Sequence, residues 1–522
     1  MSRAHLSART AFRLLTAAMV IFAVGAVLDG CGSKSSPSVT RRREAVPGGG
    51  TYVAGGPSLA VGPGVVGPPV PTGFLGLSIE FRGVEEYAGT NPAALDPAFV
   101  QLVRDLSPGS QGVLRIGGDS TDWTWWPVAH LAQPGGVRYD LTERWMKVAQ
   151  ALAEELDDRL ILGVNLEADS RSVASAEARA MLSGIGPKWI DALEIGNEPE
   201  LYGSFGWYIA KDGRHITGRP PGYDFPDFEH DFSSIAGVLP RVPLAGPASG
   251  SLAWLKDLGV FLSDERRIGL ITVHAYPTKH CGPSETVTAA DLLSEVASQG
   301  LAEQVASYAA VARSHGLALR VDEMNSISCG GEQGLSNAFA PALWALDVLF
   351  QMERMGIDGV NFHTNPGTLN QLIGAREVGG TWQAEVEPEY YALIMFAQAA
   401  PAGARLLQIS GRTAAGLDAW ATRTPGGQIH VVLINKGTGR RSVRLRIPSA
   451  RGPATLIRLR APSLHAKSGV TLGGQTLGSE TSTGKLAGRS TATTVAPVDG
   501  SYPVSVPAAS AAMLTLSVRG GP

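Results

Sequence analysis

Between residue 74 and about residue 400, eight short apolar runs alternate with longer segments of mixed polarity. The runs are FLGLSIEF (74–81), GVLRIGG (112–118), RLILGVNLE (159–167), ALEIGNEPE (192–200), VPLAGPAS (242–249), LITVHAYP (270–277), ALRVDEMNS (318–326) and GVNFHT (359–364). Most are near-continuous β-type runs, the pattern of parallel strands buried on both faces. Helical spacing fills the gaps. In segment 141–156, Leu141, Trp145, Val148 and Leu152 share one face. Segment 289–316 reads as a helix broken near Gly300. Segment 336–356 reads as another, with Ser336 as N-cap and Gly356 as stop. This alternation predicts an α/β fold, a (β/α)8 TIM barrel over residues 74–402. Beyond it the rhythm changes. RLLQIS, LDAWATRT, GQIHVVLINKG, SVRLRIP, ATLIRLRAP and AAMLTLSVR are short runs parted by turn residues, with no helical pattern between them. They predict an antiparallel β-sandwich over 403–522. Segment 57–73 is a candidate strand donated to that sandwich. Only 17% of residues are charged against 44% hydrophobic, which excludes bulk disorder.

The first 56 residues do not belong to this pattern. Arg3, Arg9 and Arg13 precede an uncharged stretch from Leu14 to Leu28, long enough for a signal peptide and short for a membrane span. Leu28-Asp29-Gly30-Cys31 resembles a bacterial lipobox, with Asp29 in place of the usual small residue. Residues 1–30 are therefore expected to be a lipoprotein-type signal peptide, with Cys31 lipidated and 31–56 a flexible tether. Ordinary secretion with an incidental Cys31 thiol is the alternative. Either way the expected location is outside the cytoplasm, with membrane attachment only through the lipid. The 44 basic and 47 acidic residues leave a net charge of −3, so no basic field invites nucleic acid. Gly62 to Gly67 matches GxGxxG but is flanked by proline with no helix after it, so no cofactor is expected there.

In such a barrel the active site lies at the C-terminal ends of the strands. Those ends carry Glu80, Asp119, Asp122, Asn197, Glu198, His274, Tyr276, Glu323 and His363, with Trp123, Trp125 and Trp126 beside the second run. Glu198 and Glu323 end the fourth and seventh runs and can face one substrate. Glycosidic cleavage needs such a pair, one carboxyl protonated to assist the leaving group and one ionised to attack. Asn197 can bond a sugar 2-hydroxyl, and the indoles offer flat faces to sugar C–H groups. Glu80 and Asp119 read equally well as sugar contacts or loop-fixing groups, and His274 and His363 as contacts or structural histidines.

Together FLGLSIEF, LRIGGDSTDWTWW, EIGNEPELYG and VDEMNSISCGG resemble glycoside hydrolase family 79, the β-glucuronidase and heparanase family of the retaining (β/α)8-barrel clan. The resemblance covers roughly residues 57–520. It implies a retaining exo-β-glycosidase, foremost a β-glucuronidase, with Glu198 as acid/base and Glu323 as nucleophile. It places Glu80, Asp119, Asn197 and Tyr276 at or near sugar-contacting positions. Family members acting on glucuronate carry Tyr-Gly-Gly after the nucleophile to hold the sugar carboxylate. Here Ser328 stands at the tyrosine position, and Cys329 follows before Gly330 and Gly331. Ser328, the two glycine amides and Lys279 are the remaining candidate carboxylate donors.

Cys281 follows the sixth run and Cys329 the seventh, so neighbouring strands bring both to one rim. A Cys281–Cys329 disulfide is expected in an exported protein. Other readings stay open: a neutral-sugar β-glycosidase, an endo-acting glycan hydrolase, and a non-catalytic carbohydrate-binding lipoprotein. A zinc set of His274, His280, Cys281 and Cys329 lacks any tight ligand pair, so no metal is expected.

Overall fold

The computed structural model describes residues 56–282, 284–450 and 452–517. The signal-peptide, Cys31 and tether expectations lie outside the described residues, apart from Gly56. Eight parallel strands close a barrel: β1 (Leu75–Glu80), β2 (Val113–Gly117), β3 (Arg159–Val164), β4 (Ile190–Ile195), β5 (Leu244–Ser249), β6 (Ile268–Ala275), β7 (Ala318–Met324) and β8 (Gly359–Thr364). Each pairs with the next, and β8 pairs with β1. These are the eight apolar runs. They are buried along almost their whole length, because helices cover the outside and side chains fill the lumen.

Helix Glu143–Leu156 starts where Thr142 Oγ1 accepts the Trp145 N–H, and it buries Trp145, Val148 and Leu152. The helix expected from Ser336 begins later, spanning Ala340–Arg354 with a proline in its first turn. Ser336 does not cap it: that buried hydroxyl accepts the Glu332 N–H instead. The regular helix in the 289–316 segment is Leu301–Ser314, preceded by a π-helical turn at Val296–Gly300.

A second sheet holds ten strands. Nine are C-terminal to the barrel, and the tenth is Ser58–Pro69, which lies between Arg405–Ser410 and Arg441–Arg446. All pairs are antiparallel except that of Ser58–Pro69 with Arg441–Arg446. The glycine pattern at 62–67 is thus strand, not a phosphate loop. One face of the sheet encloses its own core of Leu59, Val431, Leu445, Val504 and Leu514. The opposite face, through Val432, Ile434, Leu459 and Met513, packs into the core shared with the barrel helices. Trp420 stacks on Phe350 of helix Ala340–Arg354 at 5.4 Å, and its indole N–H bonds Asp347. Lys436 joins the same helix through Asp347 at 2.7 Å.

Candidate active site

Arg115 on β2 is the side chain around which the barrel mouth is built. It is fully buried, and its guanidinium reaches side chains of β1, β4, β6 and β7, donating to Ser78 Oγ on β1 at 3.2 Å. Nη1 donates to Glu323 Oε2 at 2.6 Å and Nη2 to Asn197 Oδ1 at 2.9 Å, while Nε donates to Glu194 Oε2 at 2.8 Å. Asp322 lies 3.3 Å away and His274 Nε2 3.3 Å away. A buried cation persists only with such compensation. Sequence reading missed Arg115; the one available signal was a charge inside an otherwise apolar strand run.

Glu323 is the penultimate residue of strand β7 and is 8% exposed. Tyr276 donates its hydroxyl to Oε1 at 2.8 Å, and Arg115 holds Oε2. His363 lies 3.7 Å from Oε2. Burial alone would raise this carboxyl, but His363, His274 and Arg115 hold it well below the usual carboxylate range. Beneath it, burial and the charge of Glu194 push the Asp322 carboxyl well up. Glu194 is buried too, yet Arg115 draws it down. Glu194 Oε1 and both Asp322 oxygens have no hydrogen-bond partner while both carboxyls are ionised, and one proton held by Asp322 against Glu194 satisfies two of these three oxygens.

Glu198 follows β4 in the left-handed region at φ 46°, after Gly196 at φ 79°. Strain of this kind is held only where the surroundings dictate it. Here the Glu198 N–H donates to the Ala248 carbonyl at 2.9 Å, and the Leu201 N–H returns to the Glu198 carbonyl. Asn197 N–H reaches both Tyr202 Oη and Asp122 Oδ2. Asp122 also accepts from Leu166 N–H, Glu167 N–H and Tyr202 Oη. It is a loop-fixing hub, not a sugar contact.

His274 Nδ1 lies 2.9 Å from Glu198 Oε1. One ligand-capable atom each of Glu198, His274 and Glu323 lies within 4.8 Å of the others. Although burial opposes it, the charge of Glu323 and the hydrogen bond to Glu198 raise His274 to about 10. The expectation that His274 contacts substrate is corrected: its ring is fully buried, because it points into the lumen to serve the two carboxylates.

Glu80 ends β1 and accepts the Ser120 N–H at 2.8 Å and the Ser120 hydroxyl; His363 Nε2 lies 3.6 Å from it. A Cβ on Gly118, itself at φ 73°, would stand 2.5 Å from Glu80 Oε1, so only glycine fits. Asp119 is solvent-accessible yet set among Glu80, Glu198 and Glu323. The charges of Glu80, Glu198 and Glu323 push its carboxyl up. Only Trp123 of the three indoles lines the mouth. Trp125 is buried and bonds Asp140, and Trp126 packs on the core.

Cys281 and Cys329 form a disulfide, with Cα atoms 5.2 Å apart. It adjoins a short pairing of Thr278–Lys279 with Ile327–Ser328. The zinc set is thereby dissolved: both thiols are bonded, and His280 pairs with Glu332 at 2.6 Å. Two of the four candidate carboxylate donors are occupied. The Gly331 N–H turns back to the Ser328 carbonyl, and Lys279 pairs with Glu285 at 3.1 Å. Ser328 is half-buried, and the Gly330 carbonyl accepts the Leu369 N–H.

Comparison with known proteins finds relatives of both parts of the chain. Residues 419–513 match the glycosyl hydrolase family 79 C-terminal beta domain. A β-glucuronidase of Aspergillus niger is 23% identical over 513 residues, covering 86% of this chain and 91% of that protein. Among solved structures, a 4-O-α-L-rhamnosyl-β-D-glucuronidase from Fusarium oxysporum is similar at TM-score 0.66 and 20% identity, over 88% of this chain and all of that one (100%). A family 51 arabinofuranosidase from Xanthomonas axonopodis pv. citri is similar at TM-score 0.62 and 15% identity, over 88% of this chain and 99% of that one. The solved structures share the fold. The C-terminal domain match and the Aspergillus relative spanning both parts support membership of glycoside hydrolase family 79.

Proposed function

We propose that the chain is a retaining exo-β-glycosidase that hydrolyses β-glucuronides by double displacement. The observation that carries this is the pair itself: carboxylate oxygens of Glu198 and Glu323 within 4.8 Å of each other. Retaining enzymes hold their carboxyls about 5–5.5 Å apart, inverting ones about 6.5–9.5 Å. Glu323, ionised and clamped on both oxygens, attacks the anomeric carbon. The bond to the leaving oxygen breaks as Glu198 delivers its proton there. Glu198 then takes a proton from water, which attacks the glycosyl–Glu323 ester and frees the sugar with its configuration kept. His274 engages Glu198 Oε1, which leaves Oε2 for the proton. Arg115 engages Asn197 Oδ1, which leaves the amide NH2 for a sugar hydroxyl.

The Aspergillus and Fusarium relatives support glucuronate as the sugar. A second reading, a β-glucosidase, is favoured by the occupied donors at Gly331 and Lys279. A panel of aryl β-glucuronide, glucoside, galactoside and xyloside decides between them by kcat/KM. Glu323→Gly should abolish turnover, and azide should then rescue it as the α-glycosyl azide. Glu198→Ala should lose about 10²–10⁴-fold on poor leaving groups and yield the β-glycosyl azide from activated ones. Turnover that survives Glu323→Gly without azide overturns the mechanism. The lipobox resemblance supports a lipid anchor at Cys31; Cys31→Ser should lose lipid labelling and leave the detergent phase.

A further inference from the structure

Beside Glu198 the loops after β2 and β4 form a recess at the mouth. The Leu201 N–H returns to the Glu198 carbonyl at 2.9 Å, and the Phe205 N–H to the Leu201 carbonyl at 2.7 Å, so two tight turns hold both side chains beside the acid/base. Leu201 is 39% exposed and Phe205 65%. Among the described residues, Phe205 is the one aromatic in the set of exposed large apolar side chains. Both line a cleft together with Trp123, Asn197 and Glu198. Single exposed apolar residues are ordinary. Two on one lip, facing a half-buried indole and ending at a catalytic carboxyl, make an apolar patch with a job.

Charge narrows what it can hold. The titratable groups lining the cleft are Asp119, Asp122, Glu167, Glu198 and Tyr202, with no lysine or arginine among them. The cations nearby are committed: Arg138 stacks on Trp123 at 4.4 Å and donates to the Trp207 carbonyl at 2.6 Å, and Arg219 pairs with Asp231 at 2.7 Å and donates to the Glu167 carbonyl at 3.0 Å. An anionic group in this cleft would find no lysine or arginine in the lining to compensate its lost hydration.

We infer that this cleft is the leaving-group subsite and that Leu201, Phe205 and Trp123 select neutral, flat, apolar aglycones such as aryl or arylalkyl alcohols. The inference rests on the glycosidase reading above, in which Glu198 protonates the oxygen joining sugar to aglycone. It sets the substrate class apart from acidic glycan chains, whose next residue would place a charge in the cleft.

The test uses 2-phenylethyl, propyl and 2-carboxyethyl β-glycosides of the sugar that the aryl panel selects. Their leaving alcohols are comparably basic, so differences in kcat/KM report the subsite and not the chemistry. The wild-type protein should prefer 2-phenylethyl over propyl by at least about tenfold, and propyl over 2-carboxyethyl. Leu201→Ala/Phe205→Ala should collapse the first ratio and keep the second. Both side chains are exposed, so the variant should melt with the wild type, and Phe205→Leu should retain part of the preference. Equal rates for 2-phenylethyl and propyl, or a faster 2-carboxyethyl substrate, overturn the inference while the glycosidase stands. No turnover of any glycoside, the 2,4-dinitrophenyl glycoside included, removes the glycosidase reading and this inference with it.

Discussion

Arg115 shows how much one side chain can carry. Its guanidinium is shared among Glu194, Asp322, Glu323, Asn197 and His274, all buried. Arg115→Met should cost about 3–5 kcal/mol, because it strands buried carboxylates without a cation. Arg115→Lys restores the charge but not the planar fork, so it should recover stability better than kcat. Thermal melts beside kcat on an aryl glycoside check this; a fully active lysine variant would show that the fork is dispensable. Gly250 gives the complementary case. A Cβ there would stand 2.5 Å from Glu198 Oε1 and 3.0 Å from Glu200 Oε1, and its backbone is open to any residue. Gly250→Ala should therefore displace Glu198 and lower kcat by about 10²-fold with little change in melting temperature. Equal kcat in the alanine variant would mean that Glu198 has room to move.

At the level of elements, legibility followed burial. β1 to β8 could be read because a strand covered on both faces is a continuous apolar run, and few other structures need one. Glu198 and Glu323 could be read because they close such runs. Arg115 could not, since its partners Glu194 and Glu323 lie 79 and 208 residues away and meet it only when the barrel closes. The hairpin Ile373–Val378 with Thr381–Val386 escaped because most of it faces solvent and its sequence is mixed in charge. Ser501–Val506 escaped because Pro503 interrupts its alternation, although its edge position tolerates the proline. The disulfide belongs to this scale, since it ties the loop after β6 to the loop after β7. It closes a separation of 48 residues, which in the chain-entropy model stabilises by about 4 kcal/mol. Cys281→Ser/Cys329→Ser should lower the denaturant midpoint accordingly. It should also raise KM more than it lowers kcat, because Ser328 lies beside the bridge while Glu323 keeps its own clamp. An unchanged midpoint would mean that the bridge constrains nothing the fold does not already constrain.

Across the whole molecule, buried carboxyls set the response to pH. Burial raises Asp158 to about 7, Glu167 to about 9 and Glu353 to about 9. In the unfolded chain each would titrate near pH 4. Between pH 4 and 9 the native state therefore binds protons that the unfolded state has released, so stability falls as pH rises. His274 acts in the same sense. Raised from 6.5 to about 10, it contributes fully below pH 6.5 and loses that contribution as pH climbs to its folded value. Glu323 opposes them only in acid: held low, it stabilises above the ordinary carboxylate range and loses that as pH falls. The melting temperature should accordingly peak at about pH 5 and decline through pH 9, each buried proton steepening the fall by up to about 1.4 kcal/mol per pH unit. Glu353 isolates one such proton, because it is 1% exposed and neither carboxyl oxygen has a hydrogen-bond partner. Glu353→Gln keeps the shape and removes the titration, so it should leave stability at pH 5 nearly unchanged and raise it at pH 8. Melts at constant ionic strength decide the matter: a maximum above pH 8, or a glutamine variant that gains nothing there, would mean that these carboxyls are ionised in the folded protein.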